Sequence, residues 1–133
     1  MRLLLDTHIL LWWLTDDAHL ARRHVEAIGA ALSAGESLGV SAITFWEIAK
    51  LVELGKIRLL RSIDQLFDEL DNHPQLRLLP LSSRVSLEST RLGSRFHRDP
   101  ADQIIVATAR VYGLRLVTAD ARIERSGTVS VVS

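Results

Sequence analysis

The N-terminal segment constrains the fold more than any other part of this sequence. Three leucines, Leu3–Leu5, lead directly into Asp6, and a second, largely apolar stretch continues to Leu14. A continuous apolar run of this kind predicts a fully buried parallel strand followed by a helix. Asp6 would then lie at the carboxyl end of the strand, where ligand sites form in open α/β sheets. The alternative is that Asp6 only caps the helix that begins near Thr7.

Strand and helix signals alternate along the rest of the chain. Helical patterns cover residues 17–34, 44–52, 63–72, 83–92 and 100–112. Short apolar or β-branched stretches predict strands over residues 37–40, 76–81, 115–118 and 127–132. This alternation, with short connections, predicts a three-layer α/β/α fold around a mainly parallel central sheet. No repeat, low-complexity tract or linker divides the chain, so we expect a single domain over residues 1–133.

The composition excludes several classes of protein. With 133 residues, 47% of them hydrophobic, the chain can bury a core, which excludes a wholly disordered protein. The absence of cysteine excludes a disulfide framework, a zinc–thiolate site and a cysteine nucleophile, and it fits a reducing cytoplasm. Because the first apolar run is interrupted at Asp6 and no window is long enough to span a membrane, we expect a soluble, cytoplasmic protein without a signal peptide.

The formal net charge is zero, but the charges are unevenly distributed. Residues 1–76 contain 7 Lys/Arg and 11 Asp/Glu, whereas residues 77–133 contain 9 cations, all of them Arg, and 5 acids. The arginine fork matches the geometry of phosphate, so the second part of the chain favours phosphate recognition. Ordinary salt-bridge pairing is the alternative explanation for any single Arg.

Four acids occupy positions that an α/β fold of this kind brings together. Asp6 and Asp120 each follow an apolar strand, and the ends of neighbouring parallel strands lie side by side. Asp102 lies in the first turn of a helix, and Glu47 lies about one turn into the helix that follows strand 37–40. Structural alternatives exist for each acid: an ion pair with Lys50 for Glu47, the helix dipole for Asp102 and a turn for Asp120.

Clustered carboxylates repel each other and need a cation to neutralise them. Mg²⁺ or Mn²⁺ suits a site of carboxylates and water, where it polarises a phosphate oxygen and lowers the pKa of bound water. Together with the Arg-rich second part, the acids therefore indicate metal-dependent phosphodiester hydrolysis. No Gly-rich phosphate loop and no G-x-S-x-G motif is present, which argues against an NTPase or a serine hydrolase. His8 and His97 lie near the proposed site, but packing or loop roles explain them equally well.

Four segments together resemble one known family. They are Leu3–His8, Phe45–Ile48, Asp99–Ala109 and Val117–Asp120. In this order, and over nearly the whole chain, they are similar to the PIN-domain proteins, specifically the VapC-type toxins. Each segment alone is a weak signal, whereas the combination is highly specific. The resemblance implies a compact α/β/α ribonuclease that holds Mg²⁺ or Mn²⁺ with a quartet of acids.

The resemblance also assigns roles to individual acids. Asp6, Glu47 and Asp120 match three members of the quartet. Asp102 is the first candidate for the remaining member, and Asp99 is the alternative, acting in its place or through water. These acids are the predicted metal ligands and the predicted catalytic groups.

Further residues and partners follow from the same resemblance. Thr118 matches a hydroxyl residue two positions before the last acid, which would orient a carboxylate or water, and Thr7 is placed to act similarly beside Asp6. We further predict contacts with the phosphates of an RNA substrate for three cations: Lys50, Arg98 and Arg122. The resemblance implies a homodimer or higher oligomer, and a VapB-type antitoxin whose C-terminal segment fills the groove and perturbs the acidic site.

Three other interpretations remain open. A PIN-type housekeeping nuclease would process RNA or DNA flaps without being a toxin, and a catalytically silent PIN-like module would only bind a partner or RNA. The strand that ends in Asp6 is also reminiscent of haloacid dehalogenase-type phosphohydrolases, which need a second Asp two positions later. His8 occupies that position, so this last alternative is the weakest.

Overall fold

The computed structural model describes all residues from Met1 to Ser133 and contains four strands and seven helices. The strands are β1 (Leu3–Leu5), β2 (Leu38–Ser41), β3 (Leu76–Leu79) and β4 (Arg115–Val117). The helices are α1 (Thr7–Thr15), α2 (Arg22–Ser33), α3 (Ile43–Glu53), α4 (Ile63–Asn72), α5 (Ser83–Ser89), α6 (Pro100–Tyr112) and α7 (Ala121–Ser126). None of the helices has both the length and the hydropathy that crossing a membrane requires.

All four strands form one parallel sheet in the order β3-β2-β1-β4. The apolar β1 lies in the interior of this sheet, and its three leucines are at most 4% exposed. Gly39 of β2 pairs with Leu4, and a Cβ atom at this glycine would lie only 3.1 Å from the carbonyl oxygen of Leu3. Glycine therefore permits the close approach of β1 and β2. Because β2 and β4 flank β1 in parallel, the carboxyl ends of these three strands meet at one edge of the sheet.

The alternating side chains of β1 divide the core into two layers. Leu3 and Leu5 belong to a cluster that contains Ile28 of α2. Leu4 belongs to a second cluster, which contains Ile105 of α6. Helices therefore cover both faces of the sheet, as the continuous apolar run of β1 predicts for a parallel strand. This arrangement confirms the predicted α/β/α fold with a parallel central sheet.

Several predicted helix ends are confirmed. Ser62 caps α4 in a capping box with Gln65, so two backbone N–H groups at the start of the helix are satisfied. Asp99 caps α6, Pro100 occupies its first position, and Gly113 ends it in the left-handed conformation. These local signals fix the start of α6, which carries one of the predicted site acids.

The second helix is shorter than predicted. The sequence pattern favours a helix over residues 17–34, but α2 begins at Arg22. Asp16 ends α1 in the left-handed conformation, with a φ angle of 51°, and the Asp17 carboxylate contacts both the backbone N–H and the imidazole of His19. These local side-chain bonds stabilise a turn between α1 and α2 and compete with helix formation.

Two later elements also end earlier than predicted. Helix α5 ends at Ser89 rather than at residue 92, and the hydroxyl groups of Ser89 and Thr90 donate to carbonyl oxygens of its last turn. Strand β3 ends at Leu79, immediately before Pro80. Proline has no N–H to donate to a neighbouring strand, so the ladder stops there.

The predicted strand over residues 127–132 does not form. Only a single parallel bridge links Leu116 with Val131, supported by hydrogen bonds from Leu116 N to Ser130 O and from Val132 N to Leu116 O. Gly127 is in the left-handed conformation at the end of α7, a helix over residues 121–126 that the sequence did not suggest. Since β4 has only three residues, the chain that follows this turn finds little strand to pair with.

Candidate active site

Five carboxylates line one cleft at the carboxyl edge of the sheet. The cleft has a volume of about 480 Å³ and is also lined by His8, Trp12 and Arg122. The five acids are Asp6, Glu47, Asp99, Asp102 and Asp120. The fold thus brings together all the acids that the sequence analysis assigned to a shared site, although they lie in four distant segments of the chain.

Asp6 lies directly after β1. Its backbone N–H donates to the carbonyl oxygen of Val117 over 3.0 Å, which extends the pairing of β1 with β4. Its Oδ1 atom accepts a hydrogen bond from the backbone N–H of Thr7, so Asp6 caps α1 and also lines the cleft. The residue is only 8% exposed, and this burial raises the pKa of its carboxyl group.

Two buried threonines orient the carboxylates. The hydroxyl group of Thr118 donates to Asp6 Oδ2 over 2.7 Å and accepts from the backbone N–H of Asp120 over 3.0 Å. Thr118 therefore links two of the acids. The backbone N–H of Thr7 donates to Asp6 Oδ1 over 2.8 Å, and its hydroxyl oxygen lies 3.1 Å from the hydroxyl oxygen of Thr44 on α3. Both threonines therefore contact the carboxyl group of Asp6.

Asp99 and Asp102 lie at the start of α6. Asp99 Oδ1 accepts a hydrogen bond from the backbone N–H of Asp102 over 3.1 Å, which makes Asp99 the N-cap. Carboxylate oxygens of Glu47, Asp99 and Asp102 all lie within 4.8 Å of one another. Ligand atoms of His97, Asp102 and Asp120 form a second such group. Asp102 belongs to both groups and connects the two halves of the cleft.

The crowding of the acids changes their protonation. Burial raises the pKa of Glu47 to about 7, and the nearby carboxylates, with Asp6 first, contribute to the rise. Burial likewise raises the pKa of Asp102 to about 6, although a hydrogen bond from His97 opposes the shift. Two carboxyl groups of the cleft therefore titrate near neutral pH, and a bound cation would favour their ionised forms.

Glu47 has no cationic partner on its own helix. Lys50, which offered a structural explanation for Glu47, instead places its Nζ atom 2.8 Å from Oε1 of Glu53. The interpretation of Glu47 as one half of a surface ion pair is therefore wrong. Glu47 instead lies partly buried among acids of the cleft.

Of the three cations predicted to contact phosphate, one lines the cleft. Arg122 reaches Asp120 with Nε at 3.3 Å from Oδ1 and Nη2 at 2.9 Å from Oδ2. Its hydrogen bond is the main reason why the pKa of Asp120 is lowered. Arg98 is exposed on the loop before α6, and Lys50 lies one turn beyond Glu47 on α3.

The sequence places His97 near the proposed site but leaves a packing or loop role equally open, and the structure brings its ring into contact with Asp102. Its Nε2 atom lies 2.7 Å from Asp102 Oδ2, and its ring stacks on Phe96 with the centroids 4.5 Å apart. The side-chain amide of Gln103 donates to the backbone carbonyl of His97, which anchors the loop to α6. The one available signal was the position of His97 two residues before the N-cap Asp99, where the chain folds back over the first turn of the helix.

The comparison with known proteins agrees with this architecture. The sequence model of the PIN domain matches residues 3–128 of the chain. The chain belongs to the PIN-domain family. Ribonuclease VapC22 from Mycobacterium tuberculosis is 35% identical over 120 residues, which are 90% of this chain and 88% of that protein.

Solved structures share the PIN fold of this chain. FitAcB from Neisseria gonorrhoeae superimposes with a TM-score of 0.69 at 25% identity and covers 99% of this chain and 97% of its own. A toxin–antitoxin complex from Klebsiella pneumoniae has a TM-score of 0.61 at 21% identity, with coverage of 90% and 87%. The second likeness concerns the fold alone.

Within this PIN fold, the cleft offers the donors that a hard divalent cation requires. Carboxylate oxygens are the ligands that Mg²⁺ and Mn²⁺ prefer, and oxygens of Glu47, Asp99 and Asp102 lie within 4.8 Å of one another. Burial, reinforced by the neighbouring carboxylates, raises the pKa of Glu47 and of Asp102, and a bound cation would favour their ionised forms. The acidic residues of the cleft can therefore bind a metal ion.

Proposed function

We propose that this chain, as a single PIN domain over residues 1–133, is a metal-dependent endoribonuclease and acts as the toxin of a toxin–antitoxin pair. The observation that carries the proposal is the convergence of Asp6, Glu47, Asp102 and Asp120 on one cleft that Arg122 also lines. The identity of 35% with Ribonuclease VapC22 supports RNA as the substrate. A cleft that combines buried carboxylates with an arginine suits the hydrolysis of a phosphodiester.

The four acids would hold Mg²⁺ or Mn²⁺, with Asp99 contributing directly or through water. When bound, such an ion polarises a phosphate oxygen and lowers the pKa of water that it coordinates. The four acids fit the ion, because they line one cleft with hard carboxylate oxygens and because a counter-charge would let the buried carboxylates ionise together at neutral pH.

The chain's own residues would orient this site before RNA arrives. The Thr7 N–H and the Thr118 hydroxyl each hold one oxygen of Asp6, so this carboxylate is fixed in one rotamer. His97 similarly holds Asp102 Oδ2. Without a cation, Glu47 is partly protonated near neutral pH because its pKa is raised to about 7, and it would release this proton when the cation binds.

Cationic side chains would bind the backbone of the RNA. Arg122 lines the cleft, and we propose that Arg98, on the exposed loop before α6, and Lys50, on α3, contact flanking phosphates. Phosphate contacts of this kind position a nucleic acid without reading its bases. They leave the sequence specificity to other parts of the surface.

Exposed leucine side chains support a protein partner. Leu60 is 98% exposed and Leu54 is 61% exposed, although leucine is usually buried. Leu60 also lines a groove of about 310 Å³, together with Leu11, Leu14 and Leu59. We propose that a VapB-type antitoxin covers this groove, and that the chain forms a homodimer or higher oligomer.

Cleavage of RNA tests the proposed function directly. The purified chain should cleave a labelled single-stranded RNA in the presence of Mg²⁺ or Mn²⁺, EDTA should stop the cleavage, and excess Mg²⁺ should restore it. Induced expression should arrest growth, and co-expression of the neighbouring gene's product should relieve the arrest. Cleavage that persists in EDTA would contradict the metal dependence, whereas metal-dependent cleavage without growth arrest would favour a housekeeping nuclease.

A further inference from the structure

Arg122 supplies a positive charge inside the acidic cleft. Its guanidinium contacts both oxygens of Asp120, and its Nη2 atom also lies 3.7 Å from Oδ2 of Asp102. The contact with Asp120 is local, since the two residues are two positions apart. The contact with Asp102 is not local, because that residue lies on α6 and Arg122 on α7. The guanidinium therefore bridges two acids that belong to different elements.

Helix α7 itself gains nothing from a cation at the position of Arg122. Arg122 is the second residue of the helix, directly after Ala121 and the N-cap Asp120. A cation in this first turn is unfavourable for the helix dipole, which prefers negative charge at the N-terminus. The acids of the cleft compensate for this cost. The side chain is still 58% exposed, so the guanidinium can leave the acids without disturbing the core.

The cleft consequently has two electrically different sides. On the side of Asp120, Arg122 donates to Asp120, and Oδ2 of Asp102 is contacted by both His97 and Arg122. On the other side, carboxylate oxygens of Glu47, Asp99 and Asp102 lie within 4.8 Å of one another, and neither Glu47 nor Asp99 forms a salt bridge. A divalent ion that engages the first side must compete with a guanidinium that is already there.

We propose that Arg122 is a built-in counter-cation that competes with the divalent ion for Asp120 and Asp102 and transfers to a phosphate of the RNA when the ion binds. The inference rests on the proposed function and deepens it. Every charged group keeps a partner of opposite charge in this exchange. The divalent ion takes the place of the guanidinium at the two carboxylates, and the guanidinium pairs with a phosphate, whose geometry it also fits. By linkage, RNA that engages Arg122 strengthens ion binding to the same degree as the ion strengthens RNA binding. Arg122 is thus a positioning residue that couples the two ligands.

Replacing Arg122 with glutamine tests the competition. Glutamine keeps hydrogen-bonding capacity but removes the charge, so R122Q should bind Mn²⁺ about fivefold more tightly than the unmodified chain in a calorimetric titration without RNA. The same variant should have a KM for single-stranded RNA about tenfold higher, since a charge-assisted phosphate contact is lost. R122K keeps the charge but not the planar guanidinium, so its Mn²⁺ affinity and its KM should lie between those of the unmodified chain and those of R122Q. Arg125 lies on the same helix but does not line the cleft, so R125Q is the matched control and should change neither value.

The outcomes separate this inference from the proposed function. If the unmodified chain binds Mn²⁺ and cleaves RNA but R122Q binds Mn²⁺ no more tightly, the counter-cation role is wrong and the proposed function stands. If the unmodified chain neither takes up Mn²⁺ nor cleaves RNA, both fail. Circular dichroism of R122Q that matches the unmodified chain would show that the fold is retained, as the exposure of this side chain leads us to expect.

Discussion

Substitution of Asp6 by Asn should reduce RNA cleavage by about 10³-fold or more, because a lost ligand removes several kcal/mol of charge stabilisation from the metal site. Asn has the shape of Asp but lacks its charge. Its Oδ1 atom can still accept a hydrogen bond from the Thr7 N–H. Its amide N–H can donate to the Thr118 hydroxyl oxygen, which then acts as the acceptor instead of the donor. The fold should therefore remain intact while the cleavage is lost.

Asp16 provides the matched control for the Asp6 substitution. It is exposed at the end of α1 in the left-handed conformation, which Asn adopts as readily as Asp. With the same RNA and Mg²⁺, D16N should cleave at about the rate of the unmodified chain, whereas D6N should show the full loss. Cleavage by D6N at the rate of the unmodified chain would contradict the role of Asp6 as a ligand, provided that both variants show the circular dichroism of the unmodified chain.

Substitution of Glu47 by Gln should have two opposite effects. Cleavage should fall by about 10²–10³-fold through the loss of a ligand charge. In EDTA at pH 8, however, the free energy of unfolding should rise by an amount on the order of 1–2 kcal/mol, since the variant no longer buries an ionised carboxylate among other acids. A variant that is more stable but inactive is typical of a functional site whose crowded charges reduce stability.

The pH dependence of stability follows from the direction of the Glu47 shift. Its pKa is raised from 4.5 to about 7 on folding, so the folded chain binds the proton more tightly than the unfolded chain. The metal-free chain therefore has the full contribution of this group below about pH 4.5 and loses it as the pH rises through about 7. Urea unfolding in EDTA should show this decline for the unmodified chain and a smaller one for E47Q. Identical pH profiles would contradict the buried-charge explanation.

Glu53 provides the control for the Glu47 substitution. It lies on the same helix, is exposed and pairs with Lys50 at the surface, where an ion pair contributes little. E53Q should therefore leave both the cleavage rate and the pH profile of stability close to those of the unmodified chain. Addition of Mn²⁺ should also diminish the decline in stability for the unmodified chain, because the ion neutralises the crowded carboxylates.

Local sequence signals were sufficient for the elements that carry the site. The leucines of β1 predict a strand buried on both faces, and burial on both faces places it inside the sheet with Asp6 at its carboxyl end. The N-cap Asp99, Pro100 and the C-terminal Gly113 fix the ends of α6 through backbone chemistry alone. These features depend on neighbouring residues, so the chain order is enough to predict them.

Contacts between elements could not be predicted in the same way. The hydrogen bond from His97 to Asp102 and the approach of Arg122 to the same acid depend on how a loop and a helix dock beside α6. The β-branched residues at positions 128–132 favour a strand by composition, but a strand needs a partner of sufficient length, and β4 has three residues. These contacts and the missing strand depend on tertiary packing, which the local sequence pattern does not contain.

The position of a bound ion tests the central claim most directly. Crystals of the chain soaked in Mn²⁺ should show an anomalous difference peak in the cleft, bounded by carboxylate oxygens of Asp6, Glu47, Asp102 and Asp120, and crystals of D6N should show it strongly reduced. A cleft without a peak, in crystals of a chain that still cleaves RNA, would contradict the assignment of these acids as the metal site.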